Sequence, residues 1–174
     1  TGSQVEVTAE KTARHDDPAD VRIEVVEHGG NVTICAVYPE RSNTCEPGDG
    51  GHMNVHDNDV QVRFVARVPA GVAFHGQTVN GSVEASGLTG AVDLSTVNGG
   101  VDIETASGDA SGTTVNGAVR ATLRGQGREP LRFSTVNGSI DVTVASGLNA
   151  DFSAETVNGT IQSDFPVTLQ GRIN

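Results

Sequence analysis

Downstream of residue 73, apolar and polar positions alternate with period two, break at one recurring tetrapeptide, and then alternate again. Thr-Val-Asn-Gly starts at Thr78, Thr96, Thr114, Thr135 and Thr156, at spacings of 18, 18, 21 and 21 residues. Four positions before the threonine stand Phe74, Val92, Ala110, Leu131 and Phe152, and two before it Gly76, Leu94, Gly112, Phe133 and Ala154. Five positions after it come Val83, Val101, Val119, Ile140 and Ile161; seven after it come Ala85, Ile103, Ala121, Val142 and Ser163. The column between those two is polar: Glu84, Asp102, Arg120, Asp141 and Gln162. Such alternation marks strands with one buried face. Each repeat therefore holds two short strands, one leading into the motif and one leaving it.

Two architectures accommodate two strands per repeat. A meander of hairpins would use Asn-Gly in two-residue turns. It has no need for an identical Thr and Val before every turn, whereas parallel stacking does. With each repeat forming one coil ~4.8 Å above the last, equivalent residues lie over one another. The predicted fold is therefore all-β, a parallel β-solenoid of about five coils over residues 73–174. Thr78, Asn80, Thr96, Asn98, Thr114, Asn116, Thr135, Asn137, Thr156 and Asn158 would form ladders, with hydroxyls and amides bonding the copies above and below. The three extra residues of the longer coils are expected in the opposite turn, around residues 123–130 and 145–150. Counting side-chain parity from the apolar columns puts Thr and Asn inward. It turns Val79, Val97, Val115, Val136 and Val157 outward as a candidate contact stripe, though a second kink at the motif would tuck those valines into the core instead.

Residues 1–72 lack the motif but carry strand-like runs at 5–10, 21–27, 32–37 and 60–68, separated by turn signals such as Asp16-Asp17-Pro18 and His28-Gly29-Gly30. They are expected to supply irregular first coils or a cap on the stack. Cys35 and Cys45 are the only cysteines, ten positions apart with a Pro/Gly-rich loop around the second. A disulfide is the better reading over a metal site, because no CxxC pair completes one. It points to an oxidising, extracytoplasmic compartment. The chain opens at Thr1-Gly2-Ser3 without a signal-peptide pattern, as expected of a mature or trimmed form.

Composition narrows the classes. Glycine contributes 22 of 174 residues and tryptophan none, and no apolar stretch approaches the ~20 residues of a membrane helix. Net charge is -11, so nucleic acid is not an expected partner.

The five motif copies, the segment from Val25 to Pro39 (VVEHGGNVTICAVYP), and Asp57-Asn58-Asp59-Val60 running to Val68-Pro69-Ala70-Gly71-Val72 resemble the bacterial adhesin-like family of β-repeat domains. The resemblance covers about residues 20–174. It implies an exported or envelope-associated bacterial protein with a β-solenoid-like fold, and it carries over no catalytic residue. Family members often end with a further Gly-rich turn and motif copy, whereas this chain stops at Gly171-Arg172-Ile173-Asn174, so its last coil is expected to be trimmed or open.

Candidate chemistry is sparse. His52 and His56, with Asp57 and Asp59, form the one weak metal candidate, since i,i+4 histidines converge on a helix while Gly50-Gly51 predicts a loop. His15, His28 and His75 are isolated. Asp102, Glu104 and Asp141 could act as paired carboxylates on glycosides, but Arg120 falls between Asp102 and Asp141 and suggests an ion-pair ladder. Arg120, Arg124, Arg128 and Arg132 hold four of the ten arginines within thirteen residues, a candidate anion-binding cluster. Asn31, Asn80, Asn137 and Asn158 open glycosylation-type triplets, three of them inside the motif, where a ladder explains them better. No Gly-x-Ser-x-Gly elbow and no calcium nonapeptide repeat occurs.

The expectation from sequence is thus a non-catalytic, cofactor-free extracytoplasmic binding module. Its partner would be a protein or glycan at a cell surface, or copies of itself, with no membrane insertion. A subunit stacking end to end into a fibre is the alternative, and a polysaccharide-active enzyme a remote one.

Overall fold

The computed structural model describes residues 4–48, 50–105, 109–125, 127, 130–146 and 151–162. Two compact units divide the chain, one spanning Val5–Arg67 and the other containing everything from Val68 onward.

The first unit is built from β1 (Glu6–Thr12), β2 (Arg22–His28), β3 (Asn31–Val37) and β4 (Gln61–Arg67). β2 and β3 form an antiparallel hairpin, closed by Gly29 and Gly30 with φ of 58° and 83°. Both central residues of such a tight turn need the left-handed region, where a Cβ is penalised. β1 pairs antiparallel with β4, from Glu6 opposite Arg67 to Thr12 opposite Gln61. Of the two expectations for this region, irregular first coils or a cap, the antiparallel pairing sets these strands apart from the parallel coils of the repeat. Without the motif, no ladder holds a parallel register, and the Gly-Gly turn folds the chain straight back on itself.

The second unit is the predicted solenoid. β5 (Phe74–Gln77), β7 (Val92–Asn98), β9 (Ala110–Asn116), β11 (Leu131–Asn137) and β13 (Phe152–Asn158) form one parallel sheet in that order. β6 (Val83–Leu88), β8 (Val101–Thr105), β10 (Val119–Leu123), β12 (Ile140–Val144) and β14 (Ile161–Gln162) form the other. One strand from each sheet, joined at Asn-Gly, makes a coil. Register is strict: Thr96 lies opposite Thr114 and Thr114 opposite Thr135, while Val119 lies between Val101 and Ile140. Both sheets keep this alignment although coil length rises from 18 to 21 residues. The extra residues consequently fall after β10 and after β12, in the turn opposite the motif; residues 126, 128–129 and 147–150 of those turns lie outside the described ones.

Between the sheets lies a core of Val92, Leu94, Val101, Ile103, Val119, Leu123, Leu131, Phe133 and Ile140. Its filling is uneven by design of the columns. The third coil offers small residues, Ala110, Gly112 and Ala121, and the fourth offers large ones, Leu131, Phe133 and Val142. A Cβ on Gly112 would come within 3.3 Å of the Phe133 ring, so that glycine makes the room the phenylalanine fills. Phe133 also packs against Phe152, with ring centroids 5.9 Å apart.

Candidate functional site

The feature that distinguishes this chain is the corner built by the motif. Its threonines point inward, and Thr96, Thr114 and Thr135 are buried. They do not bond each other. Thr96 donates to the Gly81 carbonyl at 2.9 Å, Thr114 to Gly99 at 2.8 Å, Thr135 to Gly117 at 3.0 Å and Thr156 to Gly138 at 3.3 Å. Each hydroxyl thus pairs with the glycine oxygen of the preceding coil, an acceptor at the corner's inner edge that would otherwise be costly to leave unpaired. Thr78, in the first coil, is directed at the Asn80 carbonyl instead, at 3.5 Å.

The asparagines form the expected ladder, but on the outside. Asn98 donates its amide to Asn80 at 3.0 Å; Asn116 to Asn98, Asn137 to Asn116 and Asn158 to Asn137 follow, each at 2.9 Å. All five asparagines are exposed, contrary to the inward orientation that parity predicts. Alternation holds only along a strand. Where the chain swings from one sheet to the other, Val and Asn lie successively on the convex side of the bend. The valines accordingly face outward: Val79 is 59% exposed, Val97 38%, Val136 37% and Val157 68%, with Val115 half-buried.

Glycine completes the corner for a reason other than turn geometry. A Cβ on Gly99, Gly117, Gly138 or Gly159 would overlap the carbonyl of Gly81, Gly99, Gly117 or Gly138 respectively. Only Gly81 of this column has a positive φ, 127°. The backbones of successive coils approach so closely here that no side chain fits between them.

The corner is also nearly free of charge. Outward positions beside the valines are Gln77, Ser95, Thr113, Ser134 and Glu155 on one side; beyond the glycines come Ser82, Gly100, Ala118, Ser139 and Thr160. Charge gathers on the flat faces instead. Arg120 pairs with Asp102 at 3.6 Å and stands in register between Asp102 and Asp141, and Arg124 pairs with Glu104. On the other sheet, Asp93 accepts from Ser111 and lies 3.0 Å from His75 Nδ1.

The remaining candidates are dispersed. Arg132 is on β11, in the opposite sheet from Arg120, because the chain crosses between sheets after Arg124; Arg128 lies outside the described residues. The three described arginines, Arg120, Arg124 and Arg132, therefore do not converge on one anion. Among the described residues, no three His, Cys, Asp or Glu side chains gather as a metal site would require. His52 instead places Nε2 3.0 Å from the Asn54 amide. Asp59 accepts backbone N–H groups of Asp16 at 3.1 Å, His15 at 3.0 Å and Arg14 at 3.3 Å, and His15 Nδ1 lies 2.9 Å away. The Asp16 N–H foremost, with the His15 ring and the other amides, holds its carboxyl down at about 2. Asp16 returns the favour by accepting the Asp59 N–H at 2.7 Å. This clasp escapes sequence reading, since its halves are more than forty residues apart. Cys35 and Cys45 form the expected disulfide, with Cα atoms 5.8 Å apart. Tyr38 donates to the Val60 carbonyl at 2.8 Å, and burial raises its phenol. Among the described residues no helix is long and apolar enough to cross a membrane.

Compared with models of protein families, with curated proteins and with solved structures, the chain matches none.

Proposed function

We propose that the protein is a non-catalytic, extracytoplasmic binding module of the bacterial cell envelope or surface, adhesin-like in action, whose contact surface is the motif corner. The observation that carries this reading is the exposed column of valines beside an ordered amide ladder, repeated coil after coil with hardly a charge. Apolar area held open on a rigid frame is costly in water and usually marks a partner. Each interior ladder amide, at Asn98, Asn116 and Asn137, uses one N–H and one acceptor site within the stack, which leaves a second N–H to face a ligand. The disulfide supports an oxidising compartment. The resemblance of the repeat to adhesin-like β-repeat domains supports the same assignment.

The test is binding of labelled protein to intact bacterial cells and to a glycan array, wild type against Val97→Asp/Val136→Asp. The proposal expects retention by the wild type and at least about a tenfold loss in the double variant, at unchanged far-UV circular dichroism. Equal retention of both would remove the stripe from the contact.

A second reading, an end-to-end fibre subunit, draws on β13 and β14, where Phe152 and Ile161 are exposed while their counterparts Leu131 and Ile140 are buried. Head-to-tail contacts do not close and so propagate. Electron microscopy of the native protein across a concentration series separates the two: discrete short particles favour the binding module, and uniform fibres the subunit.

A further inference from the structure

The chain carries five Asn-Gly bonds, all on the exposed motif corner. In an open chain this dipeptide is the one most prone to deamidation, because glycine lets its own nitrogen reach the neighbouring side chain. The glycine nitrogen, having lost its proton to base, attacks the asparagine Cγ. The side-chain nitrogen takes that proton back from the protonated base, its bond to Cγ breaks, ammonia leaves, and a succinimide ring remains. Water then opens the ring to aspartate or isoaspartate. Exposure alone would make every copy a target.

We infer that the stack is a protective device against this reaction, so that Asn98, Asn116 and Asn137 keep their amides as long as their coils stay closed and deamidate when a coil opens. Three contacts support this at each position. First, the attacking nitrogen is engaged: Gly99 N–H donates to the Asn116 carbonyl, Gly117 to Asn137 and Gly138 to Asn158, each at 3.1 Å. Loss of that proton requires the bond to open, as in amide hydrogen exchange. Second, the electrophile is held away. Each of these three side chains donates one ladder bond and accepts another at 2.9–3.0 Å, and turning Cγ toward the glycine nitrogen breaks both. Third, the peptide plane that joins attacker to target is pinned at its carbonyl end as well, because the Asn98, Asn116 and Asn137 carbonyls accept the N–H groups of Gly81, Gly99 and Gly117.

Protection arises from hydrogen bonding and not from burial, since water and base reach these asparagines freely. A single conversion would put an acceptor-only carboxylate into a ladder that needs a donor at every step. Damage at one coil would thus loosen its neighbours. On the extracytoplasmic reading proposed above, such a ladder is a means of chemical endurance, and isoaspartate in it is a record of opening.

The experiment is incubation of the whole protein at mildly alkaline pH, followed by peptide mapping, beside the same chain unfolded in guanidinium. The expected result is deamidation at Asn98, Asn116 and Asn137 at least about tenfold slower in the folded protein, in step with slow hydrogen exchange of the Gly99, Gly117 and Gly138 amides. Equal rates in the folded and unfolded chains at these three positions would overturn the inference. So would fast deamidation beside slow exchange, which would show that the engaged nitrogen is not what protects.

Discussion

Gly117→Ala is the most exacting perturbation of the stack. The added Cβ would lie inside contact distance of the Gly99 carbonyl, which is backbone and cannot swing aside as a side-chain end could. The two coils must part at this corner. Three bonds cross it: Gly99 N–H to Asn116 O at 3.1 Å, Thr114 to Gly99 O at 2.8 Å, and the Asn116 amide to Asn98 at 2.9 Å. At roughly 0.5–1.5 kcal/mol net for each bond, their loss comes to about 1.5–4.5 kcal/mol. Overpacking measured in other cores, about 1–3 kcal/mol, is of the same order. Gly100→Ala is the control. Its Cβ meets nothing nearer than 3.5 Å, its φ is not positive, and the equivalent coils carry Ser82, Ala118, Ser139 and Thr160 there. That variant should be neutral, or more stable by a few tenths of a kcal/mol through the stiffer unfolded chain. Urea unfolding followed by far-UV circular dichroism suits a chain without tryptophan whose one tyrosine lies in the first unit. With m of about 2 kcal/mol/M, a loss of about 3 kcal/mol lowers the midpoint by about 1.5 M. An unchanged midpoint for Gly117→Ala would refute the close stacking of glycine on glycine. Equal losses in both variants would show that glycine serves some purpose other than backbone approach.

Other consequences are open to direct measurement. Thr114→Val keeps the shape but leaves the Gly99 carbonyl without its buried partner, and should cost about 1–3 kcal/mol. Asn116→Ala breaks two ladder bonds at an exposed site where water substitutes, so about 1 kcal/mol is expected; a larger loss than for Thr114→Val would reverse the assignment of inner and outer ladders. Replacing both Cys35 and Cys45 by Ser should destabilise the first unit by about 2–4 kcal/mol, read as an earlier melting transition. The Asp59 carboxyl, held at about 2, lies below its unfolded value near 4, so its ionised form favours the folded clasp. That contribution is complete above about pH 4 and is lost as pH falls toward about 2. Faster exchange of the Arg14 to Asp16 amides over that interval would register it, and Asp59→Asn should abolish the pH dependence.

The columns that build the two sheets were legible because period two and a fixed motif leave little freedom. Once Thr78, Thr96, Thr114, Thr135 and Thr156 are aligned, Val119 can only lie between Val101 and Ile140. Parity fails where the backbone ceases to be a strand, which is why it places Asn116 inside while the side chain stands outside. The role of the motif glycine was equally hidden. Asn-Gly suggests a turn needing positive φ, whereas the clash that excludes alanine comes from a coil 18 or 21 residues earlier. The first unit resisted for a related reason: nothing in the neighbourhood of Glu6 indicates that it faces Arg67, or near Asp16 that it meets Asp59. The arginines show the converse error. Arg124 and Arg132 are close in sequence, yet a crossing between sheets separates them.

The parallel stack, and with it the continuous stripe, is tested most directly by one distance. Spin labels at positions 79 and 157 replace the two most exposed motif valines, and the native cysteines, joined in a disulfide, leave the labelling chemistry to the new ones. Four coil steps at ~4.8 Å place the two sites ~19 Å apart in a parallel solenoid. A meander of hairpins with two strands per repeat would place them ~38 Å apart. A pulsed-EPR distribution centred near the shorter value is predicted, and one centred near the longer would contradict the stack.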